Sequence, residues 1–374
     1  MKIISPTPEL TFNDILLLPG ESNYDAGEDS INTNIKSRLS KNITIDIPIC
    51  SAPMPHLTEV DMAIAMGKLG GIGFLHCFQS LDTQLNQTAQ IKKHKVKLAV
   101  SVSDFSKAGL DHVGQLLKLK TDLICLETAH AFNHTTIKFL KQIKTTFPKS
   151  EVCVALVVTR DATKALIEAG ADSIRVGIGG GSHCTTRLVT GSGRPQLSAI
   201  ADCYSIAKQH NIPIISDTGI QYPGDIAKAI AFGADTVMIG GLLTGTTECP
   251  GGIIVKNNKQ YKFSAGMCSP DTTTHAKPSQ KLSISTIKST IKKVLRYKTN
   301  IFIPNYSEPF TYTHEGVSGL IPFKGGVAPV IGELVGGLRR SMWYVGAHDI
   351  ESLRHNAKVV IVTSNTQSDN VPRI

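Results

Sequence analysis

EVCVALVVTRDATKALIEAGADSIRVGIG, residues 151–179, contains a whole supersecondary unit. EVCVALVV (151–158) is a short, continuous apolar run rich in β-branched residues, and such a run suits a strand buried on both faces. ATKALIEAGA (162–171) carries apolar residues at helical spacing and ends in Gly170, a residue suited to a left-handed helix C-terminus. A second apolar run, SIRVGIG (173–179), begins within three residues of that glycine. Strand, helix and strand joined this tightly make a parallel βαβ unit.

The same rhythm extends in both directions. Strand-like runs stand at 47–52 (IPICSA), 71–76 (GIGFLH), 97–103 (KLAVSVS), 123–129 (LICLETA), 212–217 (IPIISD) and 236–241 (TVMIGG). Segments of helical period separate most of them, and Gly70 and Gly233 close two of these in the manner of Gly170. Eight strand–helix units predict a closed (β/α)8 TIM barrel, one domain over residues 1–374. From about 250 to 325 the rhythm fails. That stretch reads as an irregular insertion after the eighth strand, with an active-site flap over 264–320 and a last helix beyond it.

Of 374 residues, 41% are hydrophobic and 18% charged, so a large core is expected and general disorder is not. The net charge of +9 comes without a dense basic patch interleaved with aromatics. Lysines gather at 277–298, which reads as a solvated face, and no nucleic-acid partner is expected. Eight cysteines without a CxxC pair argue against a disulfide framework and for a reducing, cytoplasmic setting. Cys77, Cys125 and Cys153 lie in apolar runs and read as core. The first residues lack the apolar stretch of a signal peptide, and no run of 18 apolar residues exists, so no membrane span is expected.

Barrel sites form at the C-terminal ends of strands. The loop after the sixth strand, GIGGGSHCTTRLVTGSGRPQ (177–196), is rich in glycine and holds Cys184. Its backbone is suited to an anion nest or a ring of carbonyls for a cation. A cysteine there can act as a thiolate nucleophile. Asp217 ends the seventh strand, where a carboxylate can hold ribose hydroxyls or cap the following turn. Gly240, Gly241 and Gly245 follow the eighth strand, a common phosphate site of such barrels. Glu127 and His130, at the end of the fourth strand, suit an acid, a base or a ribose ligand.

At these motifs the sequence resembles the IMP dehydrogenase/GMP reductase family. The likeness runs through LTFNDILLLP (10–19), SAPM (51–54), ETAH (127–130), VGIGGGSHCTTRLVTG (176–191), PGDIAKAIAFGAD (223–235), GMCS (266–269), EGVSG (315–319) and VGGLRRSMWYVGA (335–347). The resemblance implies that Cys184 attacks C2 of a purine mononucleotide (GMP or IMP), with Thr185, Thr186 and Glu315 handling protons. It implies phosphate contacts from Ser182, Gly219, Gly240 and Gly241, a ribose contact from Asp217, and base contacts from Met267 and Cys268. Glu127, Thr128 and His130 would face a nicotinamide cofactor, NADPH or NAD. Carbonyls of Gly179, Gly181 and Cys184 would hold potassium, and a homotetramer would be the assembly.

Two branches of the family fit. PQLSA, PGD, PFKG and YVGA lean to the reductase, and the 71–76 and 97–103 runs lie too close for the paired regulatory (CBS) insert of dehydrogenases. LTFNDILLLP, ETAH and Arg296–Tyr297, similar to a water-activating pair, lean to the dehydrogenase. The reductase is the favoured expectation, with the dehydrogenase and a divergent relative using another purine nucleotide as alternatives. A flavin-dependent barrel and a non-catalytic nucleotide sensor are further classes. Departures from the family pattern are Gly180 for a proline, Glu127 for an aspartate, Pro55 for an aspartate, Ala155–Leu156 for a Gly–Asn pair, Thr218 for a glycine and Ser264 for a tyrosine.

Overall fold

A computed structural model describes residues 7–22, 33–273, 313–363 and 366. Eight parallel strands close on themselves: β1 Ile49–Ser51, β2 Ile72–Leu75, β3 Leu98–Val102, β4 Leu123–Leu126, β5 Val152–Val157, β6 Ser173–Val176, β7 Ile214–Asp217 and β8 Thr236–Ile239. The closing pair sets Val237 beside Ile49 and Ile239 beside Ser51. All eight expected strands are present, and the ring is a (β/α)8 TIM barrel. The observed strands are shorter than the apolar runs because flanking residues turn out into the loops.

A helix of the outer ring follows each strand: α1 Val60–Lys68, α2 Leu81–Lys92, α3 Lys107–Lys118, α4 His134–Thr146, α5 Arg160–Glu168, α6 Gln196–Ala207, α7 Pro223–Ala231 and α8 Val327–Val345. Ser80, Ser106, Asn133 and Thr159 cap α2 to α5, each side chain accepting from a backbone N–H of the first turn. Gly70, Gly170 and Gly233 take φ of +88°, +105° and +117° at helix ends, as their placement predicts.

Aspartates fasten the bottom of the barrel. Asp122, Asp172 and Asp235 precede β4, β6 and β8, and each accepts from a backbone N–H at the start of the neighbouring odd strand: Leu98, Val152 and Ile214, all at 2.8 Å. A cation completes each unit, Lys92 at 2.6 Å, Lys144 at 2.7 Å and Arg354 at 3.0 Å respectively. Burial still pushes the Asp172 and Asp235 carboxyls up against the pull of those cations.

The strand interiors are almost wholly buried, and the helices lay Met62, Leu116, Phe139, Leu166, Ile200 and Ile230 against them. Each such side chain contributes about 1.5–3 kcal/mol by leaving water. Cys125 and Cys153 are core residues, whereas Cys77 is half-buried.

Outside the barrel, Ile15–Leu18 pairs antiparallel with Lys358–Ile361. The stretch that reads as irregular contains an ordered sheet. β9 Ile254–Lys256, β10 Lys259–Ala265 and β11 Ser318–Pro322 form three antiparallel strands. Asn257 and Asn258, at φ +50° and +57°, make the first turn. Of the expected flap, 264–273 and 313–320 are described. The basic segment 277–298 and Arg296–Tyr297 lie outside the described residues.

Candidate active site

The mouth of the barrel is organised by an arginine that the motif reading did not single out. Arg175, the third residue of β6, is buried with 2% of its side chain exposed. Its guanidinium joins the ends of two other strands, donating to Glu127 Oε2 after β4 and to Asp217 Oδ2 on β7, the latter from Nη2 at 2.6 Å and Nε at 3.2 Å. Ser101 of β3 donates to the same Glu127 oxygen at 3.1 Å, and the ring of Phe74 on β2 lies 5.9 Å from the guanidinium carbon. Burial pushes the Glu127 carboxyl above its ordinary range, against the pull of Arg175. A charged residue inside an apolar strand run was the available signal for this layer.

Gln196, the first residue of α6, is a second centre, quoted within the loop and PQLSA motifs but given no role there. Its amide donates to the carbonyls of Val176 (2.7 Å) and Asp217 (3.0 Å) and to the Ser216 hydroxyl (3.2 Å). It thereby ties the end of β6 to the end of β7. The approach is close: a Cβ on Gly177 would lie 1.9 Å from the Asp217 carbonyl oxygen, and Gly177 has φ +146°. LTFND supports the same corner from outside, with Phe12 packed beneath Gly219 and the Leu10 carbonyl accepting from the backbone of Leu197 and Ser198.

The loop leaving β6 carries Cys184, half-buried, with its Sγ 3.1 Å from Thr186 Oγ1. Thr185 stands at the N-cap position of a short helix, Thr186–Thr190, with no side-chain capping bond. Backbone pairing holds the cysteine in place. Cys184 forms an antiparallel bridge with Gly316; the Thr185 N–H donates to the Glu315 carbonyl at 2.9 Å and the Val317 N–H to the His183 carbonyl at 2.9 Å. On its other side this segment meets Gly266 and Cys268, through Gly266 N–H to Val317 O (3.0 Å) and Glu315 N–H to Cys268 O (3.2 Å). The structure therefore gathers Cys184, Thr185, Thr186, Glu315, Met267 and Cys268 into one cluster. Burial pushes the Cys268 thiol up, and the neighbouring Glu315 and Cys184 charges push the same way. Burial lowers His183, which favours the neutral ring.

Ser182 and Gly241 also meet, since a Cβ on Gly241 would stand 2.5 Å from Ser182 Oγ. That hydroxyl lies 3.1 Å from His183 Nδ1. Gly240 follows β8 beside Met54 Sδ of the SAPM motif. Thr128 and His130 stand at the β4 end, half-buried and exposed, and share the mouth with half-buried Leu156 through the Ala131 N–H to Leu156 carbonyl bond. Ser264 is buried within β10, and its hydroxyl meets no hydrogen-bond partner among the described residues.

The expected cation ligands lie along this loop. Gly181 O accepts from the Cys184 N–H at 3.0 Å, and Arg187 rests on Gly179 and donates to the Ile178 carbonyl at 3.2 Å. Among the described residues no cluster of three His, Cys, Asp or Glu side chains could hold a metal, and no helix is long and apolar enough to cross a membrane.

Residues 9–373 match the family model described as IMP dehydrogenase / GMP reductase domain. Inosine-5'-monophosphate dehydrogenase of Cryptosporidium parvum is 36% identical over 97% of this chain and 94% of that protein. The enzyme of the same name from Borreliella burgdorferi is 33% identical over 97% and 96%. That of Methanocaldococcus jannaschii is 29% identical over 99% and 96%.

Proposed function

The chain belongs to the IMP dehydrogenase/GMP reductase family, and from that premise we propose that it oxidises IMP to XMP with NAD and water. The Cys184 thiol, seated in a Gly-rich loop at the barrel mouth 3.1 Å from the Thr186 hydroxyl, carries the reading. The reductase branch, favoured by PQLSA, PGD and PFKG, gives way to the dehydrogenase because full-length relatives from three distant organisms carry the dehydrogenase name.

In this reading Ser182, Gly219, Gly240 and Gly241 receive the phosphate. Asp217, already oriented by Arg175, accepts from ribose hydroxyls, and backbone groups of Met267 and Cys268 fix the base. Cys184 adds to C2 of the purine, and the hydride leaves from that carbon. Bound NAD supplies the acceptor for that hydride. Water then cleaves the carbon–sulfur bond, giving XMP and the free thiol, with Thr185, Thr186 and Glu315 moving the protons. Holding thiol, base and acceptor together is the main source of acceleration. Thr128 and His130 would contact the nicotinamide carboxamide, while the apolar Leu156 offers a surface for its ring. Of the expected flap, segments 266–269 and 315–317, bonded to each other and to the cysteine loop, would lie over the base.

Reduced-nicotinamide absorbance tests this directly. It is expected to rise with IMP and NAD, and the Cys184→Ala variant is expected to be inactive yet still bind IMP. A fall with GMP and NADPH, with ammonia released, would assign the reductase instead, and turnover by Cys184→Ala would rule out the covalent route.

A further inference from the structure

We propose that Thr218 is a positioning residue for the nucleophile: its side chain is wedged against Gly180 and tied to Gln196, and this contact sets where the cysteine loop stands. The proposal rests on the reading of Cys184 as the reactive thiol.

Thr218 adopts φ +87°. Among the described residues it is the one β-branched side chain at positive φ; the other non-glycine cases are lysines and asparagines. A β-branched residue is strongly disfavoured there and persists only where its surroundings hold it. Here the Thr218 hydroxyl donates to Gln196 Oε1 at 3.3 Å. Gln196, 2% exposed, is itself anchored by its amide to Val176, Ser216 and Asp217.

The far side of Thr218 touches the loop. A Cβ on Gly180 would stand 2.6 Å from Thr218 Oγ1 and 3.3 Å from its Cβ, so the absence of a side chain at 180 is what admits the threonine. Gly180 lies four residues before Cys184. The other flank of the nucleophile is held by backbone pairing with 315–317. Thr218 therefore fixes the approaching arm of the loop while the flap segment fixes the departing arm. Positions 180 and 218 are also two of the departures from the family pattern, and the structure shows them to be one contact.

A double-mutant cycle on the full chain tests this, using Gly180→Ala, Thr218→Gly and the pair. Two readouts are taken: kcat and KM for IMP with NAD, and the pH profile of Cys184 alkylation by iodoacetamide. Each single change is expected to lower kcat and slow alkylation about tenfold with little change in KM, and the pair to be no worse than either single, a coupling of about tenfold. Thr218→Ser, which keeps the hydroxyl, is expected to retain the wild-type profile, and Thr218→Val to lose it. Multiplying effects in the cycle, or equal behaviour of Ser and Val, would overturn the proposal. If Gly180→Ala does not fold, the three Thr218 variants decide alone. If wild type shows no turnover, the IMP reading falls, while the alkylation data still decide the contact.

Discussion

Replacing Arg175 with methionine keeps most of the side-chain volume and removes the charge between Glu127 and Asp217. Both carboxylates are held in a nearly dry layer, with 5% and 11% of their side chains exposed. Breaking a buried ion pair by deleting one partner costs about 3–5 kcal/mol, because the remaining charge is left without compensation. For a chain of 374 residues the average unfolding entropy makes each kcal/mol worth about 1.3 °C, so the loss is about 4–6 °C in Tm. The deficit depends on pH. Burial already holds the Glu127 carboxyl above its ordinary range, and without the guanidinium it rises further. A group whose folded value is raised contributes its stabilisation fully below its unfolded value and loses it as pH rises through the folded one. The Met variant is therefore expected to approach wild type near pH 5 and to fall behind near pH 8. Scanning calorimetry at those two pH values measures both effects. Equal Tm at pH 8, or a deficit that is the same at both, would show that the guanidinium does not compensate buried charge. Glu127→Gln in the same variant is expected to restore part of the loss at pH 8.

Gly177→Ala forces a Cβ to within 1.9 Å of the Asp217 carbonyl oxygen at φ +146°, and is expected to cost about 2–4 kcal/mol in urea unfolding; an unchanged midpoint would contradict the close apposition of β6 and β7. The His76 hydrogen bond holds the Glu59 carboxyl below its ordinary 4.5 despite burial, so its stabilisation is present above that value and lost as pH falls through the folded one. Glu59→Gln is expected to flatten the acid limb of Tm against pH, with no change near neutrality beyond a constant offset.

Much of the barrel is legible in the sequence because a strand buried on both faces must be a continuous apolar run. Val152–Val157 lies within 151–158 and Ser173–Val176 within 173–179 for that reason. The cysteine loop is legible because only glycine tolerates such close approaches. Arg175 escapes notice because its charge is satisfied by residues 48 positions before and 42 after it, a pairing that no local pattern encodes. Gln196 reads as the last residue of the cysteine loop, and its bonds to two strand ends exist only once the barrel closes. The hairpin Ile254–Ala265 had a usable local signal, the Asn257–Asn258 turn between strand-like residues, but the surrounding run of polar residues hides it. Thr218 is visible as a departure from the family pattern; its link to Gly180 is visible only in space.

The pairing of residues 183–185 with 315–317 also orders events in time. When the ribosome has delivered all eight barrel strands, the segment that backs the cysteine loop is still some 75 residues from emerging. A nascent chain thus owns Cys184 well before it owns the segment that pairs with its loop. The backbone seat of Cys184 is complete with residue 317 rather than with the last barrel strand, and a product that stops short of it carries the cysteine loop without that pairing.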